Sequence, residues 1–233
     1  MVDTRHEYDR IAGVYLPIAA GVVVLVLVLV VAFALRYRAR GGEPSSHDKL
    51  AHTPTGGRRP PSRLHRAPGV EGFYVLVLAA VAAFLLWRTF SVEARVDGAR
   101  DARPSVLVNV TAAKWHWTFA YPSTGIVVRG TDRRRPTLVV PAGRVVGFRI
   151  SSVDVVHAFW IPSRRFKRDA TPGFPTRFTL LFPRTGTWVN GGECSEYCGL
   201  HHWQMRFDVR VVTPAAFAAW VRGRVATLAG AAA

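Results

Sequence analysis

The chain has 233 residues with 31 Lys and Arg against 15 Asp and Glu, a formal net charge of +16 and a mean hydropathy of +0.14. A basic surplus of this size suits nucleic acid, an anionic membrane surface or acidic partners. The basic residues form no clean helical stripe and no nucleic-acid-binding motif occurs, so nucleic acid is a poor fit and is not expected as a partner. Arginine supplies nearly all the positive charge, because only Lys49, Lys114 and Lys167 are lysines. Heavy use of Arg, Ala, Val and Gly is also what coding bias produces, which weakens inference from charge alone.

Residues 1–13 mix both signs and read as a short external segment. Residues 14–35 then run VYLPIAAGVVVLVLVLVVAFAL without a charge. At a rise of about 1.5 Å per residue, such a run crosses the hydrocarbon core of a bilayer. It is too long for a signal peptide, lacks a small-residue cleavage site and lacks a basic flank before it. It therefore reads as a retained first membrane span. A second span is expected over 71–90, around FYVLVLAAVAAFLLW, with Trp87 in the aromatic belt and Arg88 reaching the interface. Between the spans, 36–70 is rich in Pro, Gly and Ser and carries eight Lys or Arg against Glu43 and Asp48. No core can form from it, and a short basic loop stays cytoplasmic, so both termini face outward. The reading is a helical hairpin in the lipid bilayer, followed by a linker over 91–103.

From 104 to 212 the texture changes to short alternating runs. VLVNVTA, WHWTFAY, TLVVP, RVVGFRIS, VVHAFWIP, RFTLLF and MRFDVRVV each read as a strand, spaced for an all-β sandwich or barrel. Residues 213–233 read as a closing helix and tail, with Thr213 as N-cap and Pro214 at the first position. The predicted fold class is thus two transmembrane helices, an all-β sandwich and a short C-terminal helix.

Both cysteines of the chain lie in ECSEYCGLHHWQM, residues 193–205. A disulfide between Cys194 and Cys198 would close a tiny loop for little entropic gain and leaves the nearby His and Met unexplained. Thiolate, imidazole and thioether together select a soft or borderline metal, and zinc rarely uses methionine. Cys198, His202 and Met205 follow a C-x-x-x-H-x-x-M spacing. A histidine from a neighbouring strand would complete the set, and His157 in SSVDVVHAFWIP is the candidate. Taken alone, such a histidine is more often a core residue. One blue copper needs a single cysteine, whereas Cys194 offers a second thiol able to bridge two coppers. The disulfide-bonded, mononuclear and dinuclear readings remain distinct at this point.

The motif C-S-E-Y-C-G-x-x-H-x-x-M, preceded by D-V-x-H-x-F-x-I-P, resembles subunit II of the haem–copper cytochrome c oxidases. The resemblance runs through hairpin, β domain and terminal helix, and implies a cupredoxin-like fold. It implies a dinuclear copper centre (CuA) with ligands His157, Cys194, Cys198, His202, Met205 and the carbonyl oxygen of Glu196. His201 falls one residue short of the ligand position. The Glu196 carboxylate would help bind magnesium at the boundary with subunit I, and Lys167 and Asp169 of F-K-R-D-A-T-P-G would meet that subunit. Phe174 stands where the family usually has Arg. Trp115 matches the electron-entry residue of Q-W-x-W, with Lys114 in place of Gln, while Trp117, Phe119 and Tyr121 read as a packed aromatic face.

Glu71 corresponds to a proton-pathway entrance in the family. Because Tyr74 replaces the family's Trp, a dipole-favoured helix N-terminal carboxylate is the equal alternative. The resemblance further implies an electron-entry subunit partnered by subunit I and other oxidase subunits, at the plasma membrane of a prokaryote, coupled to proton translocation. No C-x-x-C-H occurs, so no haem is expected on this chain. Retained ligands imply a cytochrome c-like or other metalloprotein donor. From Asp101 onward there are 18 Lys or Arg against seven Asp or Glu, with Asp154 among the few acids available for donor docking. Such a surface disfavours a basic donor and predicts a neutral, acidic or membrane-anchored one.

Overall fold

The computed structural model describes residues 3–38, 68–98, 103–131 and 133–231. The basic loop expected over 36–70 lies almost wholly outside them. The described part divides into two units, one of residues 11–89 and one of residues 1–10 with 90–233.

The first unit is helical. Helix α1 spans Thr4–Arg38 and α2 spans Pro68–Gly98, each extending into the second unit. Both are long and apolar enough to cross a membrane, and their most apolar windows are 0% and 6% buried within the protein. A core helix of a soluble protein would hide that surface, so an apolar solvent is what these side chains fit. The Tyr15 hydroxyl donates to the Leu85 carbonyl at 2.8 Å and meets Thr89 Oγ1, linking the helices inside this unit. The segment expected as a linker from residue 91 is helical through Gly98.

The second unit is a sandwich of two five-stranded sheets. Its strands are β1 (Val106–Ala113), β2 (His116–Tyr121), β3 (Ile126–Arg129), β4 (Thr137–Pro141), β5 (Val145–Ser152), β6 (His157–Ile161), β7 (Phe166–Ala170), β8 (Thr176–Leu181), β9 (Gly186–Cys194) and β10 (Arg206–Val212). One sheet has the order β3-β2-β1-β5-β8, the other β4-β10-β9-β6-β7. The pairings β1–β5 and β4–β10 are parallel and the rest antiparallel.

Alternation fills the space between the sheets. Val108, Val110 and Ala112 of β1, Trp117, Phe119 and Tyr121 of β2, and Val146, Phe148 and Ile150 of β5 all point inward and are buried. Facing them are Phe159 and Ile161 of β6 and Phe207, Val209 and Val211 of β10. Phe159 stacks on Phe207 at 4.9 Å and Phe148 on Phe178 at 5.0 Å within their own sheets, and Phe119 meets Phe207 at 5.3 Å and Phe148 meets Phe159 at 5.9 Å across them, so rings from both sheets interdigitate. The Tyr121 hydroxyl, also buried, donates to the Val139 carbonyl and accepts the Val139 N–H. Helix α3 (Pro214–Ala231) packs Phe217 and Trp220 against the Tyr121 ring. Thr213 Oγ1 accepts the Ala216 N–H, as its N-cap reading requires.

Three strands were not legible as strands. β3 and β7 are sheet edges, and an edge needs no continuous apolar face. β9, sequence GTWVNGGEC, is interior yet rich in glycine. A Cβ on Gly192 would lie 2.0 Å from Cζ of Phe207, and one on Gly191 2.7 Å from Cβ of Trp188. Gly192 gives way to the Phe207 ring and Gly191 to the Cβ and carbonyl of Trp188, so neither is there to mark a turn.

Candidate metal centre

The cysteine loop is held at both ends by sheet hydrogen bonds. The Cys194 N–H donates to the Met205 carbonyl at 2.9 Å, fixing where β9 leaves and β10 begins. The Ser195 N–H donates to the Ala158 carbonyl at 3.0 Å, which ties the loop to β6 one residue beyond His157. Between these ends, a short 3-10 turn over His202–Gln204 bends the chain so that Met205 points back. Gly199 sits at φ +112, a backbone region that other residues rarely adopt. A Cβ there would also stand 3.3 Å from the Trp115 ring.

These constraints bring the predicted residues together. His157, Cys194 and Cys198 are buried, and their ligand atoms lie within 4.8 Å of one another. Both cysteines are free, with 3.9 Å between the sulfurs. His157 Nδ1 lies 3.8 Å from Cys194 Sγ, and His202 Nδ1 lies 3.5 Å from Cys198 Sγ. Met205 Sδ is 3.9 Å from Cys198 Sγ and wholly buried, and the Glu196 carbonyl oxygen is 3.2 Å from Cys194 Sγ. Two sulfurs in the middle, an imidazole beyond each, and one thioether and one carbonyl at the periphery form a closed, soft donor set. This chemistry fits copper and leaves no open position for a substrate.

Burial pushes both thiols toward higher pKa, but His157 brings Cys194 below the usual range for a thiol. Cys198 stays above it, by burial first and then by the neighbouring charge of Cys194. Two buried thiolates this close need cationic charge between them to coexist.

The histidine is itself oriented. Asp154 Oδ1 lies 2.8 Å from His157 Nε2, so Nδ1 faces the sulfurs. Burial works to raise the Asp154 carboxyl, yet hydrogen bonds from His157 and from the Lys114 and Val155 N–H groups bring it down to about 2. A carboxylate behind a ligating imidazole fixes its ring and tautomer. The sequence reading offered Asp154 only for donor docking, and its spacing of three from His157 was the available signal. Trp117 is a second missed contributor. Its Nε1–H donates to the Met205 carbonyl at 3.2 Å from inside the core.

Trp115 stands just before β2, half-buried, and its Nε1–H donates to the Cys198 carbonyl at 3.2 Å. Trp117, Phe119 and Tyr121 share the buried face as read, whereas Trp115 lies outside the strand. His201 meets the Trp115 ring edge-on at 4.6 Å and stays apart from the sulfur cluster. Lys167 of β7 lies 3.5 Å from the Glu196 carboxylate and 3.7 Å from that of Asp169. The two motifs thus meet, but an ammonium occupies the position between the carboxylates. Phe174 is 74% exposed in the same region. Glu71 lies exposed in the first turn of α2, at the positive end of the helix dipole.

A family model described as the periplasmic domain of cytochrome c oxidase subunit II matches residues 128–212. Cytochrome c oxidase subunit 2 of Thermostichus vulcanus is 38% identical over 119 residues, covering 51% of this chain and 33% of that protein. Its counterpart from Bacillus sp. (strain PS3) is 35% identical over 152 residues, covering 64% of this chain and 41% of that protein. The chain therefore spans well under half the length of these curated relatives. A crystal structure of the periplasmic domain of subunit II of cytochrome oxidase of Bradyrhizobium japonicum shares 30% identity, at a TM-score of 0.47, covering 52% of this chain and 94% of that one. Together with the ligand loop and its closed donor set, the match over the β domain shows that this chain belongs to the cytochrome c oxidase subunit II family.

Proposed function

We propose that this chain is the electron-entry subunit of a membrane-bound cytochrome c oxidase. It would accept single electrons from an external metalloprotein donor at a dinuclear copper site and hand them to haem in subunit I. Reduction of oxygen to water and its coupling to proton translocation would belong to that partner. The two apolar helices support anchorage with the β domain on the outer face of a prokaryotic plasma membrane.

The observation that carries the reading is the pair of buried, free thiols 3.9 Å apart, flanked by one imidazole each. Copper, when bound, supplies a one-electron carrier that needs no proton. The chain supplies everything else. Cys194, Cys198, His157, His202, Met205 and the Glu196 carbonyl would hold the copper. Asp154 holds the His157 ring with Nδ1 inward, and Trp117 fixes the Met205 backbone. The packed core restrains the donors, so their positions change little with the charge of the site. Burial excludes water that would otherwise reorganise around it. Trp115 is the entry residue in this reading, because its indole bonds the Cys198 carbonyl while part of its surface is open. Lys167 and Asp169 would face subunit I. Any magnesium at Glu196 would need further oxygens from that subunit, and Glu71 would stand at a proton-pathway entrance.

The test is copper stoichiometry and the EPR hyperfine pattern of the full chain in detergent, reduced and reconstituted. Two coppers per chain with one electron shared equally over both nuclei is the expected result. A single-copper spectrum would replace this reading with a membrane-tethered mononuclear cupredoxin and make Cys194 a bystander.

A further inference from the structure

Beside the copper-ligand loop lies a cavity of about 920 Å³ whose wall is strongly cationic. Lys114, Arg129, Arg133, Arg134, Arg135 and Arg206 line it, all are exposed, and no carboxylate lines it among the described residues. The surface is built rather than accidental in its backbone. The Thr131 N–H donates to the Arg134 carbonyl and the Arg134 N–H to the Thr131 carbonyl, closing a turn that presents Arg133 and Arg134. Pro136 packs against Gly130, where a Cβ would stand 2.7 Å from the proline Cδ. Three acids of the described residues that contact this wall or its neighbours are already engaged. Asp208 lies 3.6 Å from Arg135, Glu193 lies 3.4 Å from Arg206, and Asp154 accepts from His157 and the Lys114 N–H. Asp132 lies outside the described residues.

Two indoles mark what the cavity would hold. Trp203 flanks it and is 66% exposed, and Trp115 lines it while bonding the Cys198 carbonyl. A rim of positive charge around an exposed aromatic is the anatomy of a protein docking face. Its position, one side chain from a copper-ligand candidate, specifies which kind of protein.

We propose that this groove is the docking face for an acidic electron-donor protein, one that presents carboxylates around its own metal edge and excludes basic donors. The inference rests on the electron-entry reading for the partner's class, and on charge complementarity for its sign. Docking makes and breaks no covalent bond and transfers no proton. The donor then loses the single electron that the entry site gains.

Binding is measured first, with the full copper-loaded chain and an acidic c-type cytochrome whose haem iron is replaced by zinc. Affinity should fall at least about tenfold between low and physiological salt, as steered encounters do. Arg133→Glu with Arg134→Glu should weaken low-salt binding by roughly ten- to a hundredfold and flatten the salt dependence. Arg149→Glu with Arg177→Glu, an equal charge change on the register-paired strands β5 and β8, neither of which lines the groove, should change it less than about threefold. Tighter low-salt binding of a similarly substituted basic cytochrome c would overturn the proposal. So would equal loss in both double variants, which would mean net charge alone is sensed. Binding of vesicles rich in anionic lipid that depends on Arg133 and Arg134, with unchanged donor affinity, would assign the groove to lipid instead. Because the zinc donor is redox-inert, these results stand apart from the copper question. Reduction of the loaded site by a neutral hydroquinone at equal rates in all variants shows that the centre itself is intact, and its failure in every variant would count against the electron-entry reading alone.

Discussion

Asp154 carries more of the site's order than its exposed position suggests. One of its oxygens holds His157 Nε2 and the Val155 N–H, and the other takes the Lys114 N–H next to Trp115. One carboxylate thus sets both the ligand imidazole and the backbone that places the proposed entry residue. Asp154→Asn keeps an oxygen for the backbone donors but removes the charge behind the ring. Copper affinity, read by competition with a chelator, should drop about 10- to 100-fold, as loss of such outer partners commonly does. The thermal midpoint of the copper-free protein should change little. Unchanged affinity would mean that packing alone orients His157.

At the scale of elements, β9 is the strand on which the loop depends, since it ends at Cys194. Its glycines are dictated by the opposing ring. Phe207 lies over Gly192 and also stacks on Phe159 and meets Trp117 and Phe119 edge-on. Gly192→Ala should therefore destabilise the fold by about 1–3 kcal/mol, the usual cost of overpacking, read as a lower denaturant midpoint. A midpoint equal to that of the parent would mean that Phe207 turns aside freely. Gly199 is constrained for a different reason, since its φ of +112 and the nearby Trp115 ring act on the loop and the entry residue together.

At the scale of the whole chain, the candidate metal centre draws on separate elements of the β domain. The donors come from β6, from the end of β9 and from the loop before β10. A ligand bound across them should restrain all three. Copper at about a thousandfold excess over its dissociation constant adds about 4 kcal/mol to the bound state. The loaded chain should melt at higher temperature, and reductant with a strong chelator should return it to the copper-free midpoint. Equal midpoints in both forms would mean that copper binds outside the buried cluster.

The amino-acid sequence by itself determined the features that depend on short range. Two uncharged runs fixed the helical pair, because spanning length is a local property. Cys194, Cys198, His202 and Met205 were legible because they occupy one loop whose spacing has few other uses. Strand alternation revealed seven strands, and missed β3, β7 and β9 where an edge or an opposing ring replaced it. What only the tertiary structure decided is what crosses between strands. His157 reaches Cys194 over 37 positions, Trp115 reaches Cys198 over 83 and Trp117 reaches Met205 over 88. The cationic groove likewise exists only because the 131–136 loop folds beside Trp115. Such pairings follow from sheet order and register, which no local pattern encodes, since each strand's alternation is satisfied by many neighbours.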